Sequence, residues 1–253
     1  MCPSLPTAES MPPSPQSLAD VLVEPGYLHI AASDFEAPPM SYLTADGQRL
    51  GYEPALARQI CEHLGLTPVW HNLPMAEFYQ CLATGKYDVV WFNQAITPER
   101  QQVVTFSQPY GLFDEAVLVR ADSGIVTVAD LAGKRVGGLA DSTNLALVDD
   151  FPDAIAVPYP GSDQVLPEML AALRAGEIDG LIDDELVLVV AAESDPQLQI
   201  AFSLPTQVPF AIATDPNRPE LLTQLNAALT LTQSDGTLAH LWAEWIPWKP
   251  YPF

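Results

Sequence analysis

Residues 82–93 read LATGKYDVVWFN, and residues 173–184 read LRAGEIDGLIDD. The second run repeats the grammar of the first 91 residues further on. Each begins as the end of a helix (Leu82, Leu173) and meets a glycine suited to cap it (Gly85, Gly176). Each then turns at an aspartate (Asp88, Asp179), enters a short apolar strand and closes on a polar residue, Asn93 in one copy and Asp184 in the other. In open α/β sheets, ligands sit beyond the carboxyl ends of the strands. Two similar halves that face each other would therefore line a cleft with these two residues.

Outward from this pair, short strands alternate with helices of about ten residues, the pattern of α/β domains. Tyr27–Ala32, Pro68–Trp70 and Asp88–Phe92 read as strands. Pro54–Leu64, capped by Gly65, and Met75–Ala83 read as helices. The alternation restarts at Ala116–Val119 and continues through Lys134–Leu139, Asn144–Phe151 and Val165–Ala175. After Phe210–Ala213 come helices over Pro219–Leu231 and Leu238–Trp245.

The chain has 253 residues, room for one or two domains at roughly 150 residues each. Ten Lys and Arg stand against 32 Asp and Glu, a net charge of −22. That balance excludes the basic face of a nucleic-acid binder and a polybasic lipid-binding surface. The 48% apolar content excludes a disordered acidic chain. No run of 18 apolar residues offers a membrane span. Two readings of the acidity stand side by side: a soluble, self-repelling surface, and adaptation to high salt, with lysine only at 86, 134 and 249.

Residues 1–19 are dominated by Pro and Ser, without apolar periodicity, and read as a tail. Cys2 ahead of this tether resembles the mature end of a bacterial lipoprotein, in which the cysteine carries the lipid; Met1 would then be an added start. Cys61 and Cys81 fall in helix-like stretches and read as buried thiols, with a bridge between them left open. His29, His63, His71 and His240 are scattered, and no metal-ligand spacing is present. No nucleotide or phosphate fingerprint occurs, so no cofactor is implied. The closing aromatics, from Trp242 to Phe253, read as packing against the first half.

Thr97-Pro98-Glu99-Arg100, followed by Phe106-Ser107-Gln108-Pro109-Tyr110, resembles the bacterial extracellular solute-binding protein family 3. Further matching pieces follow in family order. They are Gly51-Tyr52-Glu53, Gly85-Lys86-Tyr87-Asp88, the run from Asp130 to Gly137, Gly176-Glu177-Ile178-Asp179 and Asp235-Gly236-Thr237. The resemblance implies an α/β type II periplasmic-binding clamshell, two Rossmann-like lobes joined by two crossover hinge strands. Residues 25–110 and 210–253 would form the first lobe and 111–209 the second, with 1–24 a flexible tail. It implies a monomer, periplasmic or at the cell surface, that captures an amino acid or similar small carboxylate for an ABC-transporter permease and catalyses nothing.

Carried over position by position, Arg100 would grip the ligand carboxylate with its planar, permanently charged fork. The competing role is an ion pair with Glu99 or Asp88. Asp184 would accept from the ligand ammonium. Strand alternation allows only one of Asp183 and Asp184 to face the cleft, and the competing role for both, with Glu185, is capping of the next helix. Ser142 and Thr143 would bind the carboxylate at a helix N-terminus, although Asp141 stands where the family has glycine. Ala95 stands where many members have a hydroxyl. Met75, Asn93 and Asn144 align with pocket positions, and Glu36 and Tyr42 lie in the first-lobe loop. Glu36 in the cleft would favour a cationic side chain; without it, Met75 and Asn93 suggest a neutral polar or modestly apolar ligand. Trp91 and Phe92 read as core, with pocket wall as the alternative. Two alternatives share the scaffold: a cyclohexadienyl-dehydratase-like enzyme using a cleft carboxyl as general acid, and a sensing module for a membrane receptor.

Overall fold

The computed structural model describes residues 17–33, 36–162 and 164–253. The tail up to residue 16, Cys2 included, lies outside the described residues. The chain begins with a short helix, α1 (Leu18–Val21), and a strand, β1 (Tyr27–Ala32). A small hairpin follows, β2 (Tyr42–Leu43) and β3 (Arg49–Leu50), then α2 (Tyr52–Leu64), β4 (Thr67–Asn72), α3 (Phe78–Ala83), β5 (Val89–Val90) and β6 (Thr105–Phe106). The long strand β7 (Gly111–Arg120) leads to β8 (Arg135–Leu139), α4 (Thr143–Ala146), β9 (Ile155–Tyr159), α5 (Val165–Ala175), β10 (Gly180–Asp184) and α6 (Glu185–Ser194). A second long strand, β11 (Leu198–Phe210), returns to β12 (Ala213–Thr214), α7 (Pro219–Ser234) and α8 (Thr237–Trp245).

These elements form two mixed five-stranded sheets, one per lobe. The first runs β4-β1-β5-β12-β6 and the second β11-β7-β10-β8-β9. In the first, β1 is parallel to both β4 and β5, while β12 runs antiparallel to β5 and β6. In the second, β8, β9 and β10 are parallel, and β7 pairs antiparallel with β10 and β11. The chain crosses between lobes twice, from β6 into β7 and from β11 into β12. The crossing strands pair at their ends, Gly111 opposite Phe210.

The two repeated sequence runs perform the same structural work in each lobe. Gly85 and Gly176 both adopt left-handed backbone (φ 67° and 73°). Asp88 accepts the N–H of His29 at 2.8 Å, and Asp179 accepts the N–H of Arg135 at 3.0 Å, so each pins the adjoining strand of its own sheet. An arginine completes each site: Arg218 on Asp88 (2.9 Å) and Arg135 on Asp179 (3.2 Å).

The first-lobe core packs α2, α7 and α8 on the sheet, with Leu28, Tyr52, Ile60, Trp91, Leu225 and Trp242 at its centre. Val117, Val136, Phe151 and Ile182 fill one face of the second sheet. A third cluster draws on both lobes, from Phe78 and Phe92 to Val165, Met169 and Leu181. Residues 17–24, expected to be tail, instead pack on the first lobe. Leu18, Val21 and Leu22 form an apolar stripe at i, i+3 and i+4, and Leu22 enters the core. The Val23 N–H donates to Asp88 at 2.8 Å.

The predicted strand over residues 88–92 shrinks to Val89–Val90, because the chain turns out of the sheet into a left-handed Asn93 (φ 47°). The predicted helix over 144–151 splits into α4 and a 3-10 turn, Leu147–Asp150. Cys61 and Cys81 are free and buried, so no bridge joins them; burial pushes their thiols up to about 12 and about 11. Among the described residues no helix is long and apolar enough to cross a membrane, and no group of His, Cys, Asp or Glu could hold a metal ion.

Candidate functional site

A cleft of about 660 Å³ lies between the lobes. Eight of the nine expected residues line it: Met75, Asn93, Ala95 and Arg100 from the first lobe, and Ser142, Thr143, Asn144 and Asp184 from the second. Glu36 does not. It is exposed, and its neighbour Ala37 takes the place on the cleft wall, held there by hydrogen-bonded pairing with Ser41. Tyr42 also lies off the lining, in β2.

Arg100 is the one cation among the described lining residues. It opens a single 3-10 turn (Arg100–Gln102), its N–H bonded to the Thr97 hydroxyl at 3.2 Å. Its Nη1 donates to the Ala95 carbonyl at 3.0 Å, and its guanidinium lies 5.8 Å from the ring centroid of Tyr79. Tyr79 is oriented in turn by its hydroxyl bond to Gln94 Oε1 (2.5 Å). Arg100 makes no ion pair with Glu99 or Asp88; Asp88 is claimed by Arg218. Its remaining guanidinium N–H groups carry fixed positive charge into the cleft wall.

The three consecutive acids at the end of β10 diverge. Asp184 accepts from the Asn144 amide at 3.0 Å and, across the cleft, from the Asn93 amide. Asp183 accepts from the same Asn144 amide at 3.0 Å and from the Asp184 N–H at 2.9 Å. Glu185 turns the other way, to Ser203 and Lys249. The expectation that only one of Asp183 and Asp184 faces the cleft fails, because alternation ends where the strand turns into α6. Both line the cleft. None of the three makes a side-chain cap on α6.

Burial pushes the Asp184 carboxyl well above the usual carboxylate range, and the neighbouring charge of Asp183 adds to the shift. Burial also raises Asp183, to about 6. The pair thus holds a proton more readily than a surface carboxylate does, and a cation placed beside it would release that proton.

Ser142 spends its hydroxyl as acceptor on the Leu145 N–H (3.1 Å). The helix it caps, α4, is only four residues long, so the expected contribution of a helix N-terminus is not available here. Asp141 adopts φ 61°, the left-handed backbone that glycine takes without strain and aspartate tolerates better than most residues. The turn therefore keeps its shape despite the exchange.

Trp91 is core, as expected, whereas Phe92 is at once core and cleft wall. Phe113, Val165, Met169 and Val187 also line the cleft and were not anticipated. The i, i+4 spacing of Val165 and Met169 marked one face of α5, but Phe113 and Val187 reach the cleft only through the crossover and the packing of α6.

The profile of the bacterial extracellular solute-binding proteins, family 3, matches residues 29–247. The ABC transporter arginine-binding protein 1 of Escherichia coli (strain K12) is 29% identical over 216 residues, covering 83% of this chain and 87% of that protein. A solved ancestral arginine-binding protein bound to arginine superposes with a TM-score of 0.78 at 27% identity, over 87% of this chain and 98% of the other. A solved ancestral amino acid-binding protein, described as a precursor of cyclohexadienyl dehydratase, gives 0.79 at 26% identity, over 90% and 99%. With a two-lobed fold, an interlobe cleft and a family match over most of its length, the chain belongs to the bacterial extracellular solute-binding proteins, family 3.

Proposed function

We propose that this solute-binding protein captures an amino acid between its lobes and hands it, chemically unchanged, to the permease of an ABC transporter. One observation carries the reading: among the described residues, one cleft sets a lone arginine from one lobe against two adjacent aspartates, the partly buried Asp183 and the buried Asp184, from the other. A zwitterion answers both. Its carboxylate suits the Arg100 fork, and its ammonium suits Asp184, with Asn93, Asn144, Thr143 and Ser142 supplying polar contacts. Ala95 contributes main chain alone. Met75, Phe92, Val165 and Met169 offer apolar surface to the ligand side chain. The relatives are named for binding arginine or amino acids in general, which agrees with this choice of ligand class. They are named as binding proteins, and this chain is read in the same way.

A thermal-melt screen against the twenty amino acids, on protein unfolded and refolded to remove carried-over ligand, tests the reading. A ligand at a hundred times its Kd adds about 2.7 kcal/mol, or roughly 5–10 °C for a chain of this size. A rise confined to a few related amino acids is the expected result. No rise with any of them would refute the zwitterion reading. Co-purification with a membrane permease, against a membrane receptor, separates uptake from sensing.

A further inference from the structure

The motif Gly51-Tyr52-Glu53 lines no part of the cleft, yet it places a fully buried carboxyl directly behind it. Glu53 has no exposed surface, and its Oε2 finds no hydrogen-bond partner. Its Oε1 accepts two hydrogen bonds, from the Tyr110 hydroxyl and, at 2.7 Å, from the main-chain N–H of Asn93. Burying a carboxyl in this way is costly, so a structural role for it alone is an expensive solution.

Both donors lead to working parts of the molecule. Tyr110 immediately precedes β7, where the chain crosses between lobes, and its carbonyl accepts from the Tyr52 hydroxyl at 2.7 Å. Asn93 stands in left-handed backbone, φ 47°, a region asparagine enters more readily than most residues, and the bond from its N–H to Glu53 fixes it there. From that turn its side-chain amide reaches Asp184 on the opposite lobe. The two repeated sequence runs thus end in direct contact across the cleft, with Glu53 behind the contact.

We propose that Glu53 is a positioning residue for the cleft: it holds the Asn93 main chain in the turn from which the Asn93 amide meets Asp184, and it ties that turn to the crossover through Tyr110. The importance of the contact for ligand rests on the function proposed above; the geometry does not. The groups around Glu53 are Tyr110 from the crossover, Tyr52 from its own helix and Arg49 from β3, with Asp184 and Asp183 beyond Asn93. Burial, partly countered by the hydrogen bonds and by Arg49, pushes the Glu53 carboxyl up to about 7. Its charge therefore changes near neutrality, and the Asn93 N–H should feel the change.

Nuclear magnetic resonance on the full ¹⁵N-labelled chain, without ligand, tests this. In an Asp183→Asn, Asp184→Asn background, which silences the two carboxyls beyond the Asn93 side chain, the Asn93 main-chain amide signal should shift between pH 5 and 9 with a midpoint near that of Glu53, and Glu53→Gln, which keeps an acceptor but cannot ionise, should abolish that shift. In Glu53→Leu the Asn93 side-chain amide should no longer reach Asp184, so its signals should move to where they lie in Asp184→Ala. An Asn93 main-chain shift that persists in Glu53→Gln would overturn the proposal. So would unchanged Asn93 side-chain signals in a folded Glu53→Leu. If Glu53→Leu does not fold, the Glu53→Gln comparison decides. The measurement uses no ligand, so a failure of the amino-acid reading leaves its result standing.

Discussion

Arg100 offers a planar guanidinium fork, steadied by one bond to the Ala95 carbonyl and by the ring of Tyr79. Removing one partner of a desolvated ion pair costs about 3–5 kcal/mol. Arg100→Ala should therefore weaken binding of any amino acid that raises the melting temperature by roughly a hundredfold or more, read by calorimetry. Arg100→Lys keeps the charge but not the fork and should recover only part of the loss. The aspartate pair predicts a pH dependence. Asp183 and Asp184 are raised by burial, so a ligand ammonium must displace protons held in the free cleft. Affinity should be flat above the raised values and fall as pH drops through them. Asp183→Asn removes a like charge from beside Asp184 and should move that fall to lower pH. A Kd unchanged from pH 8 to 5 would contradict the ammonium contact. The place of Arg100 on the cleft wall was legible through the Thr97-Pro98-Glu99-Arg100 motif that carries the family resemblance. The joint presence of Asp183 and Asp184 on the cleft wall was not, because alternation stops being a guide at the residue where a strand ends.

At the scale of elements, α2 shows how local chemistry and close packing combine. Leu56, Ala57, Ile60 and Cys61 place one buried stripe on the sheet, and Gly65 closes the helix in left-handed backbone (φ 66°). The start of the helix is more demanding. Gly51 has φ 123°, and a Cβ there would stand 2.4 Å from the Met40 carbonyl oxygen. Because the obstacle is backbone, it cannot swing aside. Gly51→Ala should cost about 3 kcal/mol, seen as a fall in melting temperature of roughly 6–12 °C. A fall of a degree or two would mean that the Met40 turn yields easily. The amphipathic helices and their glycine caps were readable because both signals lie within a few residues of one another. The length of β5 was not, since Asn93 leaves the sheet to meet a carboxylate on the other lobe. The helical stripe of residues 18–22 was present in the sequence but masked by the Pro/Ser-rich run before it.

For the molecule as a whole, charge and lobe contact are linked. Lys249, on the segment after α8, pairs with Asp114 on the crossover strand (2.7 Å) and with Glu185 at the start of α6 in the second lobe. The C-terminal segment, itself anchored by the Trp242 indole N–H on the Lys249 carbonyl (2.7 Å), thus ties the lobes together near their crossover. Lys249→Met would leave two carboxylates facing each other without a cation. The expected loss is about 1–2 kcal/mol, between the values for exposed and buried pairs, with a larger radius of gyration for the free protein in X-ray scattering. An unchanged melting curve and radius would remove this tie from the description. The net charge of −22 predicts self-repulsion that salt relieves. Melting temperature should therefore rise with sodium chloride up to physiological ionic strength. A further rise toward molar salt would favour the high-salt reading of the acidity, and a plateau the ordinary one.

Two α/β halves, their capping glycines, the strand-pinning aspartates and the ordered motifs of the family are properties of the linear chain. Each rests on burial periodicity or on backbone preference over a few residues, and such short-range physics is written locally. The pairing of Asn93 with Asp184, the sharing of Asn144 by two aspartates, the carboxyl of Glu53 behind the turn and the exclusion of Glu36 from the cleft belong to the folded molecule. They join residues far apart in the chain, and which side chain answers which depends on how two sheets and their crossovers pack. A sequence states which groups are available, and packing in three dimensions sets their distances, their burial and so their charge.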